Sequence, residues 1–508
     1  MTKSDRAVQS LKVGAASQFL PVIAGYGTVL LTTPYVVSVL GLHDFGVWSL
    51  TGALAQYAAL MDLGVSRAAS RFVALFHAKG DKHGERAVVG ICVAALAVLA
   101  TLLIGLTCAI PSTIDRIIGT NSPELARFLV LCGILIMIVG LLARVLAAAS
   151  VGRGRQVPAG VGMAVLSTLQ AAGGVVALVA KPTLVAFATG TVVGTVIGLV
   201  VVVGVILFDE RSLTIGRPNI ALSKEILGYG VQSQIAAAGG ILLLQSGKLI
   251  AGVLIGPAAA GVYELASRLA MGAQVLGAAS AAAITPHLTR SYAHGGLANV
   301  LAQYEHLTRR NTAVAILVPF AMIATAFAGI PLWLNTDNPE VTWVLIALLP
   351  GIATNVSTGV CTSLLSAVGR PIVLAQAAVA TGVLQAALAT ASGYLFGFAG
   401  IAVAFAVGVP LANIVSMAFM HAKMDIPMSL FFRGVRGPFA IGTIAMVAVL
   451  PIGLLTEATS RSSALWPFIL AGALFCMIYA ALGWRFHLLP SLDLRARNLR
   501  SRRGRHRS

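Results

Sequence analysis

The sequence predicts an all-α polytopic membrane protein of about fourteen transmembrane helices, built as two six-helix lobes in parallel pseudo-repeat followed by a C-terminal helix pair. Three observations carry that expectation. Apolar runs of 18 or more residues recur from one end of the chain to the other, the lysines and arginines lie almost entirely to one side of those runs, and the first half of the chain echoes itself 215 residues later.

The chain has 508 residues, of which 58% are hydrophobic and only 10% charged, with a mean hydropathy of +0.91. A soluble globular protein carries about 25% charged residues. A run of 18 residues or more, rising about 1.5 Å per residue, reaches across a hydrocarbon core of about 30 Å. Because irregular backbone cannot face lipid, such runs are helices. We place spans at about 13 to 42, 45 to 65, 87 to 110, 128 to 149, 157 to 180, 183 to 208, 231 to 255, 261 to 284, 312 to 334, 341 to 368, 372 to 392, 400 to 420, 438 to 455 and 465 to 484. The first run is too long for a signal peptide and leads into more membrane, so it is expected to be retained. Five cysteines (Cys92, Cys108, Cys132, Cys361 and Cys476) are scattered in apolar runs with no CxxC pair. They read as small core residues, not as a metal or disulfide framework.

An even number of spans puts both termini on one side. The loops of that side, with the tail, hold 28 Lys and Arg against 4 on the other, while Arg144, Lys248 and Arg268 remain inside spans. By the positive-inside rule both termini are expected in the cytoplasm. The same asymmetry accounts for most of the net charge of +18, which in a soluble protein would suggest nucleic acid. The tail RARNLRSRRGRHRS is either a contact for anionic lipid headgroups or a positive anchor for the last span. No loop is long enough to hold a soluble domain, and no Walker motif, HExxH, DxD pair or GxSxG occurs. We therefore expect no cofactor, no metal and no catalytic residues.

At an offset of 215, Gly41 falls on Gly256, Gly46 on Gly261, Val47 on Val262, Trp48 on Tyr263 and Leu50 on Leu265. Further on, Gly80 falls on Gly295 and Leu169-Gln170 on Leu384-Gln385, with Val151-Gly152-Arg153 matching Val368-Gly369-Arg370 after a slip of two residues. The expected division is an N-terminal lobe over 1–215, a C-terminal lobe over 216–424, a helix pair over 425–484 and a basic tail over 485–508. Six spans being an even number, the lobes enter the membrane in the same direction. Parallel repeats of this kind are a transporter architecture with the substrate path between the halves.

Leu40-Gly41, Asp44-Phe45-Gly46 and Trp48, followed by Asp62-Leu63-Gly64 and Arg71, resemble the opening pattern of the polysaccharide exporters and Wzx-type O-antigen flippases of the MOP superfamily. Lys248-Leu249-Ile250, Gly256, Gly261, Tyr263 and Ala266 are similar to that family's seventh and eighth helices. One departure is Gly247, where family members often carry an acid before the Lys. The resemblance implies a non-enzymatic flippase in a bacterial inner membrane, moving a polyprenyl-diphosphate-linked oligosaccharide to the outer leaflet by alternating access. Its partners would be the lipid-linked substrate, membrane lipids, and a polysaccharide polymerase or glycosyltransferases, with no nucleic acid.

An anionic diphosphate and a polar glycan must then pass through a region of low dielectric, so ionisable groups inside spans are the functional candidates. Lys248 and Arg268 each sit roughly 12 Å from the outer ends of their spans and are candidates for phosphate contact. Against this, Lys248 could snorkel and Arg268 could be neutralised by Glu264 one helical turn away. Arg144, Arg67 and Arg71 lie near the inner end, as an entrance for the diphosphate or as ordinary positive-inside residues. Asp62 and Glu264 are either structural or ion-coupling acids. Amides within spans, including Gln18, Gln234, Gln274, Asn355, Gln385 and Asn413, either meet sugar hydroxyls or join helices.

The alternatives within the superfamily are a multidrug exporter, which favours twelve spans and an acidic cation site, and a lipid II flippase, which differs only in cargo. A membrane enzyme such as an O-antigen polymerase would call for a sizeable outer loop or a His/Asp cluster.

Overall fold

A computed structural model describes the backbone of residues 3–62, 64–210, 216–217, 219–456 and 458–486. Side chains are described from Pro21 onward apart from short stretches that include 61–63 and 231–237. The helices in chain order are α1 (Lys3–Ala58), α2 (Val65–Ala78), α3 (Lys82–Ala109), α4 (Pro111–Ile118), α5 (Pro123–Gly152), α6 (Gln156–Ala180), α7 (Leu184–Glu210) and α8 (Ile220–Leu254). They continue as α9 (Pro257–Ala315), α10 (Leu317–Leu334), α11 (Pro339–Ser357), α12 (Gly359–Val368), α13 (Pro371–Val403), α14 (Val409–Ala422), α15 (Met428–Leu455) and α16 (Arg461–Arg485). No strand occurs among the described residues. The protein is an all-α polytopic membrane protein.

Among the described residues ten segments are long and apolar enough to cross a bilayer. Three of them contain two spans each, interrupted at Gly41, at Gly295–Gly296 and at Gly397, where the backbone leaves helical geometry. With α8 these account for the fourteen expected spans. Two of the breaks are hairpins: His287 bonds Gln303 at 2.9 Å and Asn299 donates to the Ser291 carbonyl at 3.0 Å across Gly295–Gly296, and Gly400 abuts the Ser392 carbonyl across Gly397. Helix starts follow local capping chemistry. Asp81, Ser122, Asn338 and Ser460 each accept a backbone N–H of the first turn, and Pro123 and Pro339 occupy first-turn positions where no N–H is needed.

The chain falls into two compact units, one over 1–265 and 386–401, the other over 266–385 and 402–508. In the first unit, α6 and α7 approach backbone to backbone. Gly173 lies against Gly190, and Gly194 against the Leu169 carbonyl, which leaves no space for a methyl group at either. Small residues of this kind let membrane helices pack closely where no hydrophobic force separates helix from lipid. Trp48 of the repeated hairpin sits edge-on to Phe187, ring centroids 5.4 Å apart.

The repeat has a direct structural counterpart in this unit. Gly41 and Gly256 both hold positive φ, 74° and 132°, ending one helix and admitting the next. Beyond them the two hairpins touch reciprocally. A Cβ on Gly46 would strike the carbonyl of Pro257, and one on Gly261 would lie 2.5 Å from the carbonyl of Leu42. Leu42 and Pro257, like Gly46 and Gly261, are 215 residues apart, so each partner is met by the other's repeat equivalent.

In the second unit, α15 and α16 pack on α10 around Phe320, Phe475 and Tyr479. Tyr479 donates to the Ala313 carbonyl at 2.6 Å, and Arg461 at the start of α16 donates to the Leu332 and Trp333 carbonyls at the end of α10. The C-terminal helix pair is thus tied to the second unit at both ends.

The reciprocal contact predicts that Gly46→Leu and Gly261→Leu each destabilise the protein by about 1–3 kcal/mol or more, as overpacking does. Gly105→Ala, a position with open space around it, should be neutral. Melting of the purified protein in detergent would measure all three.

Candidate functional site

The first unit contains a cavity of about 360 Å³ between α1, α2, α5 and α6, into which Arg67 and Arg144 both project. α2 follows a single 3₁₀ turn, Ala59–Asp62, and starts at Gly64 with φ 66°. Its inward face is Val65, Ala68, Ala69, Phe72 and Val73. Packing that face inward leaves Ser66, Arg67 and Ser70 at the cavity rim, with the two serines one turn apart. α5 comes close because Gly152 lets the Ser70 carbonyl approach to where a Cβ would lie 2.7 Å away. That approach brings Arg144, two helical turns before Gly152, opposite Arg67. The remaining wall is apolar, formed by residues such as Val151, Gly160 and Met163.

The end of α5 is held by a buried charge cluster that sequence reading missed. Arg153 Nε donates to Glu85 at 2.6 Å and His77 Nδ1 bonds the same carboxylate at 2.9 Å, with Glu85 and Arg153 side chains 7% and 9% exposed. The signal was present in the repeat, since Arg153 matches Arg370, which donates to the Lys423 carbonyl at 2.8 Å in the second unit. In both halves this arginine fixes a helix end.

At the equivalent place in the second unit the described residues pack closely. At the repeat offset of 215, Ser66 and Arg144 fall on Ala281 and Gly359, and Ser70 and Ala148 fall on Thr285 and Ser363. Ala281 and Gly359 pack so closely that a methyl group on Gly359 would collide with the Ala281 side chain, and Thr285 donates to Ser363 at 3.0 Å. The two-residue slip moves Arg144 opposite Cys361, which is also fully buried. Where the second unit is closed, the first is open and carries two guanidinium groups.

The other candidates are placed as follows. Lys248 on α8 is buried, and its Nζ lies 2.8 Å from Glu264 Oε2 on α9, with side chains 7% and 16% exposed. Sequence spacing puts Arg268 one turn from Glu264 on the same helix; the structure also brings Glu264 a lysine from the preceding helix. Arg268 is half-buried on α9. Arg71 is exposed on α2 with its guanidinium 5.6 Å from the centre of the Phe72 ring, and it does not line the cavity. The Asp62 side chain, like those of Gln18 and Gln234, lies outside the described residues. Several span amides join helices: Gln274 donates to Asn355 at 2.9 Å, Asn413 donates to the Gly351 carbonyl at 3.1 Å, and Gln385 donates to the Ala404 carbonyl at 3.3 Å. Among the described residues no group of His, Cys, Asp and Glu could hold a metal ion.

Residues 11–292 match the model of a family described as polysaccharide biosynthesis protein. An uncharacterized membrane protein, EpsK of Bacillus subtilis (strain 168), is 22% identical over 456 residues, covering 86% of this chain and 88% of its own length. Among solved structures, an inward-facing multidrug resistance MATE family transporter of the MOP superfamily superposes with a TM-score of 0.67 at 17% identity, over 80% of this chain and 94% of that one. The lipid II flippase MurJ, in an inward closed conformation, superposes with a TM-score of 0.66 at 13% identity, over 94% and 99%. At these identities the likeness to the solved structures is one of fold.

For the buried ion pair, Glu264→Leu should destabilise by about 3–5 kcal/mol, because it strands the Lys248 ammonium, and Lys248→Met should cost less. The double variant should recover most of that loss, which a melting comparison of the three proteins would read.

Proposed function

The chain belongs to the polysaccharide biosynthesis protein family and has the fold of MOP-superfamily transporters, and from that premise we propose that it is a flippase for a polyprenyl-diphosphate-linked oligosaccharide. In this reading it carries the substrate from the inner to the outer leaflet of the cytoplasmic membrane, with both termini in the cytoplasm, and supplies a polymerase or glycosyltransferase on the far side. No bond is made or broken, so it is not an enzyme.

The observation that carries the reading is the two-arginine cavity. Transferring an anionic headgroup into a region of low dielectric is costly unless its charge is met. Each phosphate of a sugar-linked prenyl diphosphate carries one negative charge, and guanidinium groups bind phosphate through paired hydrogen bonds. Arg67 and Arg144 therefore match the headgroup in charge, and the positions 215 residues further on, Ala282 and Gly359, carry no charge. Arg144 lies eight residues before the end of α5, so the cavity opens toward the basic end of the unit, which the positive-inside rule assigns to the cytoplasm. Headgroup capture from the inner leaflet follows. Arg71 and Arg268 are proposed as further cations along the path, whereas Lys248, already matched by Glu264, serves to hold α8 against α9.

Deleting the gene should leave lipid-linked oligosaccharide on the inner leaflet, protected from reagents added outside; its accumulation on the outer leaflet would refute the flippase reading. Arg67→Ala and Arg144→Ala should each reduce surface glycan about tenfold or more at unchanged protein level, the loss expected for a charged hydrogen-bonding group.

A further inference from the structure

In the second unit the amides that join helices form a chain whose bonding is complete at one end and open at the other. Asn413 on α14 is 4% exposed. Its amide donates to the Gly351 carbonyl and to Thr354 at 3.1 and 3.0 Å, and its carbonyl accepts from Asn355 at 3.4 Å. Asn355 on α11 in turn accepts from Gln274 on α9 at 2.9 Å. Gln274 and Asn355 are half-buried. Among the described residues these two side chains make no other bond, so an N–H of each and the Gln274 carbonyl are unmet. That oxygen is accessible, whereas the unmet oxygen of Gln385 is sealed in the core. Hydrocarbon offers such groups no partner, so the side of α9 on which they open faces water. The pattern along the helix agrees. Arg268, Met271, Gln274 and Ala278 follow one another at spacings of three and four, and all are half-buried or exposed. Leu276, on the opposite side, is 60% exposed and suits lipid. Asn355 lies near the middle of the span Pro339–Val368, so the wet strip is at mid-membrane depth.

The open groups define the ligand chemistry. The carboxamide pair carries no charge, offers donors and an acceptor, and is held in place through Asn413, so little order is lost when it binds. A phosphate calls for cations and a prenyl chain for an apolar wall. A sugar hydroxyl donates and accepts, and the pair answers both. We propose that Gln274 and Asn355 form a glycan contact, a neutral and preorganised amide pair that hydrogen-bonds the hydroxyls of a sugar crossing the membrane. The inference rests on the flippase reading for the presence of a glycan and adds the residues that touch it. So few open groups distinguish a sugar from no sugar, and one sugar from another only weakly.

The test uses the full-length protein in phosphatidylcholine nanodiscs. Water exposure is read first. A charged, membrane-impermeant thiosulfonate reacts with thiolate, which forms in water, so Gln274→Cys should be labelled about tenfold or more faster than Leu276→Cys, with the unsubstituted protein as background. Equal rates would overturn the wet strip and the proposal with it. Binding is then measured for farnesyl diphosphate and for farnesyl diphosphate bearing N-acetylglucosamine or glucose. The sugar-bearing ligands should bind about three- to tenfold tighter than the bare one, and Gln274→Met should remove that margin while the bare ligand binds as before. Gln274→Asn, which keeps an amide, should retain part of the margin, and it gives the readout if the methionine protein does not fold. An amide chain that only joins helices would weaken all three ligands alike in these variants, or none of them, and either result refutes the contact. Equal affinity of the three ligands for the unsubstituted protein would refute it too. Translocation of a fluorescent lipid-linked oligosaccharide in proteoliposomes is scored separately. A sugar margin lost in Gln274→Met without any translocation by the unsubstituted protein sinks the flippase reading and leaves the contact intact, and translocation without a sugar margin does the reverse.

Discussion

A bilayer core offers no water, so every backbone donor and acceptor that enters it must be met by the protein, and every charge must be met or moved to an edge. The whole architecture follows from this. Helices satisfy the backbone, and the chain changes direction at glycines, at Gly41, Gly295–Gly296 and Gly397, where helical geometry breaks. Side-chain amides that enter the spans are absorbed by helix-to-helix bonds, as Gln274, Asn355 and Asn413 show. Lysine and glutamate enter as a pair, Lys248 with Glu264.

Against that rule the cavity holding Arg67 and Arg144 stands out. Two guanidiniums line one space. The protein tolerates this because both side chains are exposed and the cavity admits solvent. The closed equivalent in the second unit indicates that the helices of this repeat can pack without a cavity at that position. In the first unit Arg144 stands where the repeat has Gly359.

Much of the fold was legible in the sequence because membrane spans announce themselves by length and composition. The hairpin glycines were legible because they recur at one offset, and their positive φ and close contacts explain why the residue type recurs. The site was less so. Arg144 could be singled out as a charge inside a span, but Arg67 reads like any basic residue after a span until α2 is seen packed on α5. The spacing of Glu264 and Arg268 along one helix is visible in a sequence, whereas the contact of Glu264 with Lys248 on the preceding helix is not, because it depends on how α8 and α9 meet. Glu85 drew no notice, since a carboxylate near a basic loop looks solvated; its burial against Arg153 and His77 is a product of tertiary packing alone.

The contact between the two hairpins has the form of an isologous interface inside a single chain. Gly46 meets Pro257 as Gly261 meets Leu42, so residue i faces j while the equivalent of j faces the equivalent of i, the relation that a twofold axis imposes on a dimer. In a dimer of one such half, a single substitution at this glycine would produce two collisions at once, and a single compensating change would relieve both. Joined in one chain, the two positions are separate genetic sites that meet at one physical place: either can vary alone, but each still has to fit a surface that the other half supplies.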